Sequence, residues 1–285
     1  FLPSFSQIEE IGSKISIEQL KKHITILAAD SLEGREVGQP GESKAADYMS
    51  KYFKKIGIPP YKDSTYYQLI PLEKNILLDA TIELEKEKKL LKRDFYTYPK
   101  FNETNITSNN IVFLGYGIDT EKYSDYKTSI KNSVVLFFNG EPKDKEGNYL
   151  VSGGKEKSPE SSYRFKLKKA KEEGAKAALF VSENFKSDYK HAEHKIEHPG
   201  VVLEKKEETI PFFFISEDFA NDFLGKNNTQ KIKKKITKSK KSVNKKIQKQ
   251  ITLVTKNKNT SFFGKNVLGY IEGSDPKLKN EIIVI

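Results

Sequence analysis

Residues 266–285 read NVLGYIEGSDPKLKNEIIVI, and the last five decide how the chain is put together. Glu281 to Ile285 is a short, almost wholly apolar run of the kind that forms a buried strand. Just before it, Ser274-Asp275-Pro276 marks a turn, with Asp275 placed to cap a short helical turn that opens at Pro276. A buried strand needs a sheet around it. The other end of the chain is helical, so the two ends are expected to meet in one domain.

Working outward, the first helix follows Ser16. Ser16-Ile17-Glu18-Gln19 has capping-box spacing, and Ile17, Leu20, Ile24 and Leu27 recur at helical intervals. His23 falls on the polar stripe of that helix and is expected to face solvent. A second helix is predicted from about Ser43 to Ile56, with Ala45, Ala46, Met49, Tyr52, Phe53 and Ile56 on one side. Gly57 and Pro59-Pro60 should end it. Between the helices lies DSLEGREVGQPG, with glycines at 34, 38 and 41.

From about residue 65 the pattern becomes strand-like: TYYQLIPL, ATIELEKEK, NNIVFLGYGI and SVVLFFNG. A helix at roughly 163–173 leads through Gly174 into the strand AKAALFV. A polar stretch, the strand IPFFFIS and a short helix from Glu217 to Leu224 follow, then a lysine run and QITLVTKN. Strands dominate the middle and helices the beginning. The fold class is therefore α/β, with an α/β domain interrupted by a mainly β insertion. The predicted limits are 1–73 for the first part of the outer domain, 74–250 for the insertion and 251–285 for the return.

The chain has 285 residues and a formal charge of +11. That charge is local: residues 231–250 hold ten lysines and no acid, and the rest carries 40 basic against 39 acidic residues. Only Arg35, Arg93 and Arg164 are arginines, whereas readers of bases and phosphates favour the planar arginine fork. No specific nucleic-acid partner is expected. Two readings stand for the run: a solvated helical face with Ile232, Ile236, Val243 and Ile247 turned inward, or a binding face for a polyanion or anionic membrane.

There is no cysteine, which excludes disulfides, thiolate metal sites and cysteine nucleophiles. No apolar run is long enough for a transmembrane helix. The chain starts at Phe1 and Met49 is its one methionine, as expected of a removed signal peptide or a shortened N-terminus. Sequons begin at Asn102, Asn105, Asn227 and Asn259.

The common catalytic signatures are missing: H-E-x-x-H, G-x-S-x-G and a complete phosphate loop. His191, His194 and His198 have i, i+3, i+7 spacing with Glu193 and Glu197 near them. They form either a surface metal site or a polar, solvated stretch before Pro199-Gly200. The loop DSLEGREVGQPG sets Asp30, Glu33, Arg35 and Glu36 in a glycine-rich connection between two amphipathic helices, a usual position for a site. The alternative is that Arg35 pairs with a nearby carboxylate and pins the loop.

Residues 27–58, LAADSLEGREVGQPGESKAADYMSKYFKKIGI, resemble the N-terminal helices of secreted zinc-dependent aminopeptidases, a family that includes bacterial leucyl aminopeptidases and, more distantly, glutamate carboxypeptidase. The pattern Glu33-Gly34-Arg35, Gly38, Gly41, Ala45-Ala46 and Tyr48 carries that likeness. Residues 265–285 resemble the stretch that re-enters the peptidase sheet. The middle, through NIVFLGYGIDTEKYSDYKTSIKNSVVLFFNGEP and RFKLKKAKEEGAKAALFVSENF, resembles a protease-associated domain. Asn132-Ser133 departs from the Gly-Lys that this family commonly has there.

The resemblance implies an exported metalloaminopeptidase that removes N-terminal residues from peptides with zinc-activated water. It also implies that the histidine and carboxylate ligands of its two zinc ions lie beyond Ile285. No catalytic or metal residue is therefore assigned in this chain, no cofactor is expected in it, and Glu33, Gly34 and Arg35 are expected to border the active site. The chain alone should be inactive. The alternative is a non-catalytic module, a lid or binding surface for peptides or a protein partner.

Overall fold

A computed structural model describes residues 16–61, 64–204 and 209–285. In chain order its helices are α1 Ile17–Leu27, α2 Pro40–Lys55, α3 Tyr163–Glu172, α4 Phe185–Glu197, α5 Glu217–Leu224 and α6 Asn228–Ser239. The first strands are β1 Tyr67–Leu84, β2 Glu87–Lys89, β3 Phe95–Tyr96, β4 Thr104–Ser108, β5 Ile111–Leu114 and β6 Val134–Phe138. They are followed by β7 Ala177–Val181, β8 Val202–Leu203, β9 Phe212–Ile215, β10 Asn244–Ile247 and β11 Ile251–Val267. The fold is mixed α/β. It divides into two compact units, one drawn from Phe1–Glu73, Val201–Glu204 and Ser261–Ile285, the other from Lys74–Gly200 and Lys205–Thr260.

The second unit is built on a six-stranded sheet in the order β10-β5-β6-β7-β9-β3. Its four central strands run parallel, and β10 and β3 close the edges antiparallel. Every residue of β5, β6, β7 and β9 is buried. That explains why these segments read as unbroken apolar runs: strands covered on both faces have no polar side to alternate with. Helix α3 links β6 to β7, and α4 links β7 to β9.

The stretch expected to be mainly β thus also carries four helices. The polar segment after β7 is one of them. Phe185 and Ala192 give α4 its buried face, with Tyr189 and Ile196 packed beside them, and most of the remaining residues are polar or charged. Asn132, at the departure from the protease-associated pattern, has φ 62° and donates its N–H to the Gly174 carbonyl at 2.8 Å. Asparagine tolerates that left-handed backbone.

In the first unit, Ser16 caps α1 by accepting from the Gln19 N–H at 3.2 Å. Helix α2 starts three residues earlier than its apolar pattern suggests, because Pro40 suits a first helical position. Gly57, at φ 78°, ends it, with the Ile58 N–H returning to the Phe53 carbonyl at 3.0 Å. Most of TYYQLIPL and the first half of ATIELEKEK belong to the single strand β1, which runs through Pro71, and the chain then turns at Glu85-Lys86 into β2.

Two expectations are corrected here. Residues 281–285 form no strand and lie exposed, Ile283 by 87%. No strand among the described residues pairs with them, so their backbone groups have no ladder to join. The Asp275 turn does form, its carboxylate accepting from the Lys277 N–H at 2.7 Å and the Leu278 N–H at 3.3 Å. His23 is half-buried rather than solvent-facing. Its Nδ1 lies 2.6 Å from the Tyr48 hydroxyl and its ring 4.3 Å edge-on from Tyr52. The apolar stripe at Ile17, Leu20 and Ile24 is the exposed side instead.

Candidate functional site

The loop 30–41 is shaped by its backbone before its side chains. Asp30–Arg35 winds as a 3-10 turn, and Glu33, Gly34 and Arg35 have φ of 48°, 72° and 58°. Holding two non-glycine residues left-handed costs about 1 kcal/mol each, so other contacts must hold the loop. Leu32 is buried, and its carbonyl oxygen is so close to Gly41 that a Cβ there would sit 1.9 Å away. The Lys44 ammonium donates to the Ser31 carbonyl at 3.1 Å.

Glu42, in the first turn of α2, is the junction. Its Oε2 accepts from the Gly38 N–H at 2.6 Å, and its Oε1 accepts from the Lys265 N–H at 2.9 Å. Gly38 lies against the Phe262 ring, and Gly264 lies against Val37 and Leu72. The glycine loop and the returning strand therefore meet at one carboxylate. Substituting Glu42→Ala should destabilise this junction by about 1.5–3 kcal/mol. Hydrogen exchange at the Gly38 and Lys265 amides should accelerate together; unchanged protection at both would refute the junction.

Glu33 and Arg35 point to solvent, and neither makes an ion pair among the described residues. The pinning expected of Arg35 is done by Gly41, Lys44 and Glu42 instead.

The histidine trio lies at the end of α4, with His198 just past the helix. The rings of His194 and His198 are 5.0 Å apart, and His191 Nδ1 lies 2.7 Å from the Ser187 carbonyl oxygen. No group of three or more His, Asp or Glu side chains among the described residues is placed to hold a metal ion. The described residues do not by themselves assemble a zinc centre, and no chemical step is derived through one.

The second unit holds a buried polar cluster that motif reading missed. Lys166, on the inner face of α3, is 1% exposed and donates to the Phe138 and Gly140 carbonyls. Burial pushes its ammonium down to about 7, while the charges of Asp125 and Glu141 pull it back up. Asp125 accepts from the N–H groups of Tyr116 and Ile118 at 3.0 and 3.2 Å and from the Tyr123 hydroxyl at 2.9 Å. Burial nonetheless lifts its carboxyl to about 6. Glu141 accepts from the N–H groups of Val151, Ser152 and Ser158.

GYGID, which begins like a dinucleotide fingerprint, serves here as the turn that encloses Asp125. A Cβ on Gly115 would meet the Asp125 carboxylate at 2.6 Å, and one on Gly117 would meet the Phe137 ring at 2.3 Å. A cleft of about 240 Å³ passes Gly117, Ile118, Phe165 and Lys166. The signal for this cluster was a lysine at an apolar-face position of α3, between Tyr163 and Leu167.

No protein-family model and no curated protein matches the chain. Among solved structures it is similar to the crystal structure of a Peptidase M28 precursor from Shewanella amazonensis SB2B, with a TM-score of 0.32 and 14% identity. The match covers 90% of this chain and 53% of that one, so the chain spans about half the length of the peptidase it is similar to.

Proposed function

We propose that this chain is the N-terminal and protease-associated portion of an exported zinc metalloaminopeptidase, a portion that does not itself carry the catalytic centre. The observation that supports this reading is the junction at Glu42. The glycine loop and the returning strand, the two stretches with peptidase-like sequence, are bound to the same carboxylate although more than two hundred residues separate them. On this reading Glu33, Gly34 and Arg35 border the active site of the complete enzyme, whose substrate is a peptide. The second unit then serves as a lid or length filter. No helix among the described residues is long and apolar enough to cross a membrane.

Two preparations test the reading. This chain by itself is expected to release no N-terminal amino acids and to bind no stoichiometric zinc. The gene's longer product, continuing past Ile285, is expected to cleave N-terminal residues and to stop when chelated. About two zinc ions on the present chain, chelator-sensitive cleavage by it, or an inactive longer product would overturn the proposal.

A further inference from the structure

We infer that the outward face of α6 is a docking surface for an anionic lipid bilayer. Helix α6 divides its lysines by direction. Thr229, Lys233 and Ile236 are buried on one side, while Lys231, Lys234, Lys235 and Lys238, spaced i, i+3, i+4, i+7, share the opposite face and are exposed.

The two sides are treated differently by the rest of the unit. Inward-facing Lys233 is neutralised by Glu217 and by Glu183 at 2.8 Å, with its ammonium 5.0 Å from the Phe138 ring centre. The four outward lysines form no ion pair among the described residues. None is near in sequence either, since residues 223–271 contain no acid. Exposed Lys241 and Lys246 extend the charge beyond the helix. Like charges at i, i+3 and i, i+4 repel, and a negatively charged counter-surface relieves that repulsion.

The chemistry of the face selects the kind of surface. The apolar side of α6 is committed to the core through Ile236, so no hydrophobic wedge is left to insert into a membrane. Contact must therefore be with headgroups. The face has no arginine to fork onto bases and no aromatic ring to stack on them, the features nucleic-acid sites use. Lysines act as point charges, and a cluster of four to eight suits a layer of anionic headgroups. The four span roughly 10 Å along the helix, a flat patch rather than a groove.

The test is co-sedimentation of the chain with vesicles of phosphatidylcholine containing about 30% phosphatidylglycerol. At about 50 mM salt the chain is expected to pellet with them, and at about 500 mM to stay in solution. It should ignore vesicles of phosphatidylcholine alone. Replacing Lys231, Lys234, Lys235 and Lys238 by Gln should weaken binding about 30-fold or more while leaving the unfolding midpoint unchanged, because all four are exposed. Replacing Lys51, Lys54, Lys55 and Lys86 by Gln removes equal charge elsewhere and should leave binding nearly intact. The inference is overturned if the chain does not bind these vesicles, if both variants lose binding alike, or if duplex DNA is bound in preference to them.

Discussion

Substituting Lys166→Met should lower the stability of the second unit by about 3 kcal/mol near neutral pH, or about 6–12 °C in unfolding midpoint. The substitution removes the donor to the Phe138 and Gly140 carbonyls and the cation that Asp125 and Glu141 share. Each carboxylate keeps its own three donors, so the cluster loses its centre rather than all its satisfaction. Methionine fills a similar volume and spares the cost of a buried ammonium, which limits the loss.

The pH dependence distinguishes this from a simple packing defect. With its folded pKa lowered from 10.5 to about 7, Lys166 holds its proton less well folded than unfolded. Between about pH 7 and pH 10 the unfolded chain binds more protons, so the contribution of Lys166 to stability grows as pH rises. The contribution falls as pH drops from 10 toward 7 and is level below that, where both states hold the proton. The gap between wild type and Lys166→Met should therefore widen from pH 7 toward pH 10. Asp125 acts in the opposite sense: lifted to about 6, it draws stability down as pH rises from about 4 to 6, and more strongly in the variant, because the Lys166 charge that holds its carboxyl down is gone. Denaturant titrations across that range decide the matter. A gap below about 1 kcal/mol, or one flat between pH 7 and 10, would show that Lys166 is not held as described.

Gly41→Ala is the second large effect expected, about 3 kcal/mol or more on the first unit. The added Cβ would lie 1.9 Å from the Leu32 carbonyl oxygen and 2.7 Å from its carbon, and both atoms belong to the backbone. No rotamer change relieves such a clash, so the start of α2 must move away from the 30–35 turn. Gly34→Ala is the control: its φ is 72°, with open space around it, so its cost is only the left-handed backbone, about 1 kcal/mol. Proteolysis within the first unit and its unfolding midpoint should rank Gly41→Ala well below Gly34→Ala. The reverse order would contradict the close approach of α2 to the turn.

What the chain states locally is what its sequence by itself determined. The Ser16 cap, the Gly57 terminator, the Asp275 turn and the buried runs of β6, β7 and β9 depend on backbone preferences and on which neighbours are apolar. These can be read within a few residues. That a glycine-rich turn joins the first two helices at Gly34 was legible in the same way, but how the turn is held was not. Glu42 acts there only because Lys265 arrives from the far end of the chain.

Tertiary structure alone decided the direction and partners of the polar groups. His23 and the stripe of Ile17, Leu20 and Ile24 exchange their expected roles, because α1 meets α2 through Tyr48 and Tyr52. Lys166 and Lys233 are lysines among many in the sequence, yet folding buries Lys166 on two backbone carbonyls and Lys233 against two carboxylates, while Lys231, Lys234, Lys235 and Lys238 stay in water. EIIVI has the composition of a buried strand, yet no strand among the described residues pairs with it. Desolvation and strand pairing depend on groups distant along the chain, and a local pattern carries no information about which of them will arrive.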